Sequence, residues 1–203
     1  MFKKLASDVM GLSDIGKIIE PKDYDKVDSD DYILHEDGEK IFFLIKSKSD
    51  EYCFTNYALI HLDGESAVSS KRMLYRFTYK NNSFSNVLLE TAGNIDLDVE
   101  IKFSLGQRDY SIDVDRKQIE KLKDLYKSLV KIASIQRTNE ANWEFANQSV
   151  AASVETLQGS LGSNTNNGEF AQINEYVFDW KSRKHKELHR EDFGEVFEKF
   201  IHN

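Results

Sequence analysis

The chain has 203 residues, 40% of them hydrophobic and 31% charged, and a formal net charge of -8. That length suits one compact domain with an appendage and a real core. The acid excess argues against a general nucleic-acid binder, which needs clustered Lys and Arg. No apolar run approaches the roughly 20 residues of a membrane-spanning helix.

Residues 1–5 lack the apolar core of a secretory signal. Leu5, Val9, Leu12 and Ile15 predict one or two short helices over 2–19, interrupted by Gly11 and Gly16 and ending before the only proline, Pro21. An acidic surface connection follows over 23–31. Residues 40–46 are almost continuously apolar, which predicts a strand covered on both faces. The chain turns at 47–50 and returns through Tyr52, Cys53, Phe54 and Thr55, with a kink or bulge at Asn56 before 58–62. Cys53 is the single cysteine, so no internal disulfide can form and a reducing, cytoplasmic setting is expected.

Asp63-Gly64 signals a turn, Met73, Tyr75, Phe77 and Tyr79 alternate, and 84–90 returns. Residues 95–105 carry the plainest pattern. Ile95, Leu97, Val99, Ile101, Phe103 and Leu105 point one way, and Asp96, Asp98, Glu100 and Lys102 the other. A turn at 106–108 leads to Tyr110, Ile112 and Val114. Asp115 then caps a long helix, with Gln118 placed to complete a capping box. Its inward stripe reads Ile119, Leu122, Tyr126, Leu129, Ile132 or Ala133, and Gln136. About seven antiparallel strands followed by one helix exclude alternating βαβ units and predict a mainly β (α+β) barrel or sandwich capped by that helix.

Phe54-Thr55-Asn56 with Leu59-Ile60, then Glu90-Thr91-Ala92-Gly93, then Asp96-Leu97-Asp98 with Glu100 and Lys102, resemble the bacterial pleckstrin-homology (PH) domain family. The resemblance covers about residues 1–135 and implies a PH-like barrel. Two departures bear on ligand binding: the loop over 63–71 is acidic and Ser-rich, and 75–80 lacks a proline-tyrosine pair. Lys46 and Lys48, in the first hairpin, are followed by Asp50 and Glu51, which argues against phosphoinositide binding.

Beyond the helix, Trp143, Ala146, Val150, Val154 and Leu157 continue a stripe, 159–168 forms a polar linker, and Phe170, Ile173, Val177 and Trp180 form a second stripe. This predicts a helical hairpin, followed by a short helix over 192–201 carrying Phe193, Val196, Phe197 and Phe200. The tail is similar to the YvbH-like oligomerisation region. The expected division is a PH-like domain over 1–137 and a helical extension over 138–203, with the first remaining folded when the second is removed.

No residue pattern assembles an active site. Cys53 and His61 read as structural rather than as nucleophile and base, and His185 and His189 lack a third metal ligand. The carboxylate row Asp96, Asp98 and Glu100 reads as a water-facing strand face. The expectation is a non-catalytic interaction or scaffold protein without cofactor or metal. It self-assembles through its extension and sheet edges, using Trp143, Val150, Phe170, Val177 and Trp180, and another protein is a further candidate partner. The resemblance implies a closed cyclic homo-oligomer, a pentamer among the candidate rings. The alternative is a peripheral membrane or anionic-ligand module using Lys181, Arg183, Lys184, Lys186 and Arg190.

Overall fold

A computed structural model describes residues 14–64, 72–91, 98–160 and 167–201, with side chains for all but 157–160 and 167–170. The part over 2–13 of the helices expected over 2–19, the loop over 65–71, the turn and strand start over 92–97 and most of the 159–168 linker lie outside these residues. The chain divides into two compact units, Met1–Ala133 with Glu191–Asn203, and Ser134–Arg190.

Among the described residues the first unit holds eight antiparallel strands in two sheets. β1 (Lys17–Ile18), β2 (Ile41–Lys46), β3 (Glu51–Thr55), β4 (Ala58–Gly64) and β5 (Arg72–Thr78) pair in that order; β6 (Phe84–Glu90), β7 (Asp98–Leu105) and β8 (Arg108–Asp115) form the second sheet. Residues 14–19 are therefore not helical: β1 pairs with β2, Ile18 opposite Ile45. Gly16 joins the two sheets, donating to Asp113 O (2.8 Å) and accepting from Asp115 N–H (3.0 Å). A Cβ there would lie 2.7 Å from Ile45 Cγ2, so only glycine allows this approach. The break at Asn56 is a full hairpin turn, with Phe54 opposite Leu59. The register shifts fall instead between Ile41 and Phe43 in β2 and between Ser85 and Leu88 in β6.

Alternation sorts the five-stranded sheet into two apolar faces. Phe43 and Phe54 turn inward, where Phe54 meets Phe103 of β7 edge-on at 6.0 Å and Phe103 stacks on Tyr110 of β8 at 5.0 Å. The long helix α1 (Ile119–Ser160) contributes Leu122, Leu125, Leu129 and Ile132, all fully buried. The stripe is thus centred on Leu125, with Tyr126 only half-buried, as its place beside a fully buried Leu125 and Ser128 requires. Asp115 does cap, accepting from Lys117 N–H (2.9 Å). Gln118 does not reach back to it; its amide brackets Ile18, accepting from the N–H at 2.7 Å and donating to the carbonyl at 3.0 Å.

The outward face carries Leu44, Cys53 and Ile60, which cluster with Ile19, Val27 and Ile33. Those covering residues flank the 3-10 turns Pro21–Lys26 and Asp28–Tyr32, Tyr24 packs on the cluster from within the first, and a third turn, His35–Asp37, follows. Two buried carboxylates hold this cover down. Glu39 accepts from Arg76 Nη2 (2.8 Å), Thr55 Oγ1 (2.6 Å) and Leu34 N–H (2.8 Å). Glu51 accepts from Ser29 N–H (2.8 Å) and pairs with the buried Lys46.

The short helix α3 (Gly194–Ile201), grouped with the extension on sequence grounds, packs on the first unit. Phe197 stacks on Phe42 of β2 at 5.5 Å, and Phe193 meets Tyr79 edge-on at 6.0 Å. Truncation after Arg137 would therefore uncover Phe42 and Tyr79 as well as remove the hairpin.

Glu39→Ala strands the Arg76 guanidinium and the Thr55 hydroxyl and is expected to cost about 3 kcal/mol in urea unfolding, as for one lost partner of a buried pair. Asp113, on the outer face of β8 opposite Glu100, has its pKa raised by burial and by the charges of Glu100 and Asp98. A raised carboxylate pKa means stability is lost as pH rises through it. Asp113→Asn is therefore expected to stabilise the fold at pH 7 by less than about 1 kcal/mol, with the gain vanishing near pH 3 in paired urea titrations.

Candidate assembly surface on the helical hairpin

The second unit is a hairpin of the C-terminal part of α1 and α2 (Asn167–Leu188). Its composition is rich in Ala, Asn, Ser and Gln, so each helix offers only a narrow apolar stripe to the other. Among the described residues from 137 to 190, no side chain is buried. Trp143, Ala146, Val150 and Val154 on α1, and Ile173, Val177 and Trp180 on α2, are only half-covered. A helix pair takes most of its stability from a buried face, and this pair does not complete one by itself.

Between the two stripes runs a groove of about 420 Å³, walled chiefly by Val150, Val154, Ile173, Tyr176, Val177 and Trp180. Three of the five residues singled out from the sequence, Val150, Val177 and Trp180, thus meet in one place. Trp143 belongs to a different cluster of the hairpin. His185 and His189 stack on each other at 3.8 Å, and the Trp143 ring meets both edge-on at 5.2 and 5.5 Å. Phe170 lies in the first turns of α2, and its side chain is outside the described set. Alternation and stripe counting missed three exposed aromatics, Phe145, Tyr176 and Phe178, at 64%, 67% and 68% exposure. Their signal was available: aromatic residues off the stripe of a helix are unexpected in water.

The basic segment is partly committed within the hairpin. Lys184 pairs with Glu187 at 2.6 Å, and Lys181 Nζ sits 5.8 Å from the Trp143 ring centre. Arg183 and Lys186 are exposed, and Arg190 is half-buried.

Elsewhere the candidate chemistry is disassembled by the fold. Cys53 and His61 point to opposite faces of the five-stranded sheet, Cys53 into the outer cluster and His61 into the inner ring stack. Burial pushes the Cys53 thiol well above its ordinary pKa, which leaves it inert. His61 stacks on Tyr52 at 4.4 Å, and its Nε2 lies 3.3 Å from Asp50 Oδ1. Burial raises the Asp50 pKa, but hydrogen bonds from His61 and Ser49 outweigh it, and the net shift is downward. Arg108 closes this end, 4.1 Å from the Tyr75 ring centre and 3.5 Å from Asp63. Lys46, one of the two first-hairpin lysines, is consumed by Glu51 beneath the cover segment. Glu100 of the carboxylate row is bound by Ser111 and by Lys102 (2.8 Å), Asp98 sits opposite Asp115, and Asp96 lies outside the described residues. Among the described residues no cluster of three or more metal-ligating side chains occurs, and no helix is long and apolar enough to cross a membrane.

Comparison with known proteins matches this architecture in two parts. Residues 9–133 match the model of the bacterial PH domain, and residues 144–203 match that of the YvbH-like oligomerisation region. A protein of Bacillus subtilis (strain 168), described as "Uncharacterized protein YvbH", is 54% identical over the full length of both chains. Among solved structures, a PH-domain-containing bacterial protein from Exiguobacterium sibiricum 255-15 superposes with a TM-score of 0.85 at 52% identity, covering 92% of this chain and 99% of that one. The chain belongs to the bacterial PH domain family and carries a YvbH-like oligomerisation region after its barrel.

Proposed function

We propose that the protein is a non-catalytic scaffold that self-associates through its hairpin. The observation that carries this reading is the groove between Val150 and Val177, an apolar surface that the hairpin leaves half-covered. A second copy is the occupant that the matched oligomerisation region favours. A closed ring is the assembly that avoids open-ended growth, and a pentamer is one such ring. The sheet edges offer a secondary contact: among the described residues, β5 and β6 each carry a strand on one side only. A cytoplasmic setting accords with the single buried thiol.

One observation favours a second reading, a peripheral contact with an anionic surface: the side chains of Arg183 and Lys186 stand exposed beside the committed Lys184. Two free cations give little affinity for lipid, at about 1 kcal/mol each and screened by salt.

Val177→Glu places a charge in the groove wall. Light scattering of the full-length protein is expected to give a multiple of the 23.5 kDa chain mass for the wild type and a smaller species for the variant, with unchanged circular dichroism. A wild-type mass of one chain overturns the reading. Binding of the wild type to anionic vesicles that survives in Val177→Glu but is lost in Arg183→Ala/Lys186→Ala would favour the peripheral one.

A further inference from the structure

The chain leaves the first unit, forms the hairpin, and comes back only to dock 11 residues, 191–201, on the sheets. Those residues meet the barrel as a bound peptide meets a receptor. An isolated helix of eight residues has no stability of its own in water, so α3 (Gly194–Ile201) owes its form to the seat it occupies. The seat reads a definite pattern. Asn56 accepts from Phe193 N–H at its backbone carbonyl (2.9 Å) and donates from Nδ2 to Asp192 Oδ2 (3.1 Å). The other Asp192 oxygen accepts from Gly194 N–H (2.7 Å) and starts the helix. Gly194 suits the close approach: a Cβ would lie 3.0 Å from Asp192 Oδ1 and 3.4 Å from both Asn56 Cβ and Phe42, and these neighbours would have to yield. Phe193 and Phe197 are the anchors, at 1% and 0% exposure, against Phe42 and Tyr79. Lys80 at the rim pairs with Glu191. An acidic lead-in, a buried aromatic, a glycine and a second aromatic four residues after the first form a complete recognition element, with the two fully buried rings as its hot spots.

We infer that the seat formed by Phe42, Asn56 and Tyr79 is a docking site for an acidic-aromatic helical segment, filled by the chain's own 191–201 and able to take the same segment from a second copy. The seat and its ligand are joined only through the 57-residue hairpin unit, Ser134–Arg190, so every contact that forms within a chain can form between chains. The exchange between copies rests on the self-association proposed above; the existence of the seat does not.

The test uses full-length protein and a fluorescein-labelled peptide of residues 189–203. Phe193→Ala/Phe197→Ala frees the seat and is expected to bind the peptide at least tenfold more tightly than the wild type, whose seat is filled. A folded double variant that does not bind, or that binds equally a peptide with both phenylalanines replaced by alanine, overturns the inference. If the double variant does not fold, full-length Asn56→Cys and Asp192→Cys proteins are mixed, unfolded, refolded together and oxidised; Cys53 is fully buried in the folded chain. A disulfide joining the two different chains supports the seat and its exchange; its absence overturns the exchange, and failure of one chain carrying both Asn56→Cys and Asp192→Cys to close an internal disulfide overturns the seat. A single-chain mass in light scattering with peptide binding intact removes the self-association alone.

Discussion

The constraint on which the structure depends is that its five-stranded sheet is apolar on both faces. Leu44, Cys53 and Ile60 look outward while Phe43, Phe54 and Leu59 look inward, and all six are fully or almost fully buried. An antiparallel sheet usually leaves one face to water, and this one cannot. The second sheet covers the inner face through Phe103 and Tyr110. The outer face needs a separate cover, which is the run of 3-10 turns before β2 with its flanking residues. Much that departs from a plain barrel serves this second covering. Glu39 and Glu51 are buried to pin the cover.

Where water reaches one face and not the other, the sequence could be read directly. In β7, Val99, Ile101, Phe103 and Leu105 alternate with polar residues, and the structure buries those four while leaving Glu100 and Lys102 outward. The unbroken run of β2 likewise announced two covered faces. What covers the outer face was not legible. Residues 19–39 are polar and acidic in appearance, and nothing local distinguishes a solvated connection from one pinned by Glu51 through the backbone N–H of Ser29. Gln118 satisfied a local capping rule and was taken instead by Ile18, 100 residues away. The partner of α3 was hidden for the same reason: amphipathic spacing says that a face is buried, not against what.

The hairpin shows the complementary case. Its stripe positions were legible from spacing of three and four, and Val150, Val177 and Trp180 do line one groove. Spacing could not tell that Trp143 would be engaged by His185 and His189, or that Phe145 and Phe178 would stand in water. Two helices make a thin layer with one side each to offer, so a stripe of ordinary width remains half-wet. The barrel needs covering and finds it within the chain, whereas the hairpin remains uncovered.

The return of α3 has a consequence for synthesis. A ribosome delivers the barrel strands first, then the hairpin, and the phenylalanines at 193 and 197 last. Domains generally fold in the order they emerge, yet here the first-made body keeps Phe42 and Tyr79 uncovered until after the hairpin has been made. A nascent chain stalled inside the hairpin would expose that greasy surface, and its own cover arrives only with translation through residue 201. Synthesis past the hairpin is thereby written into the packing of the first unit.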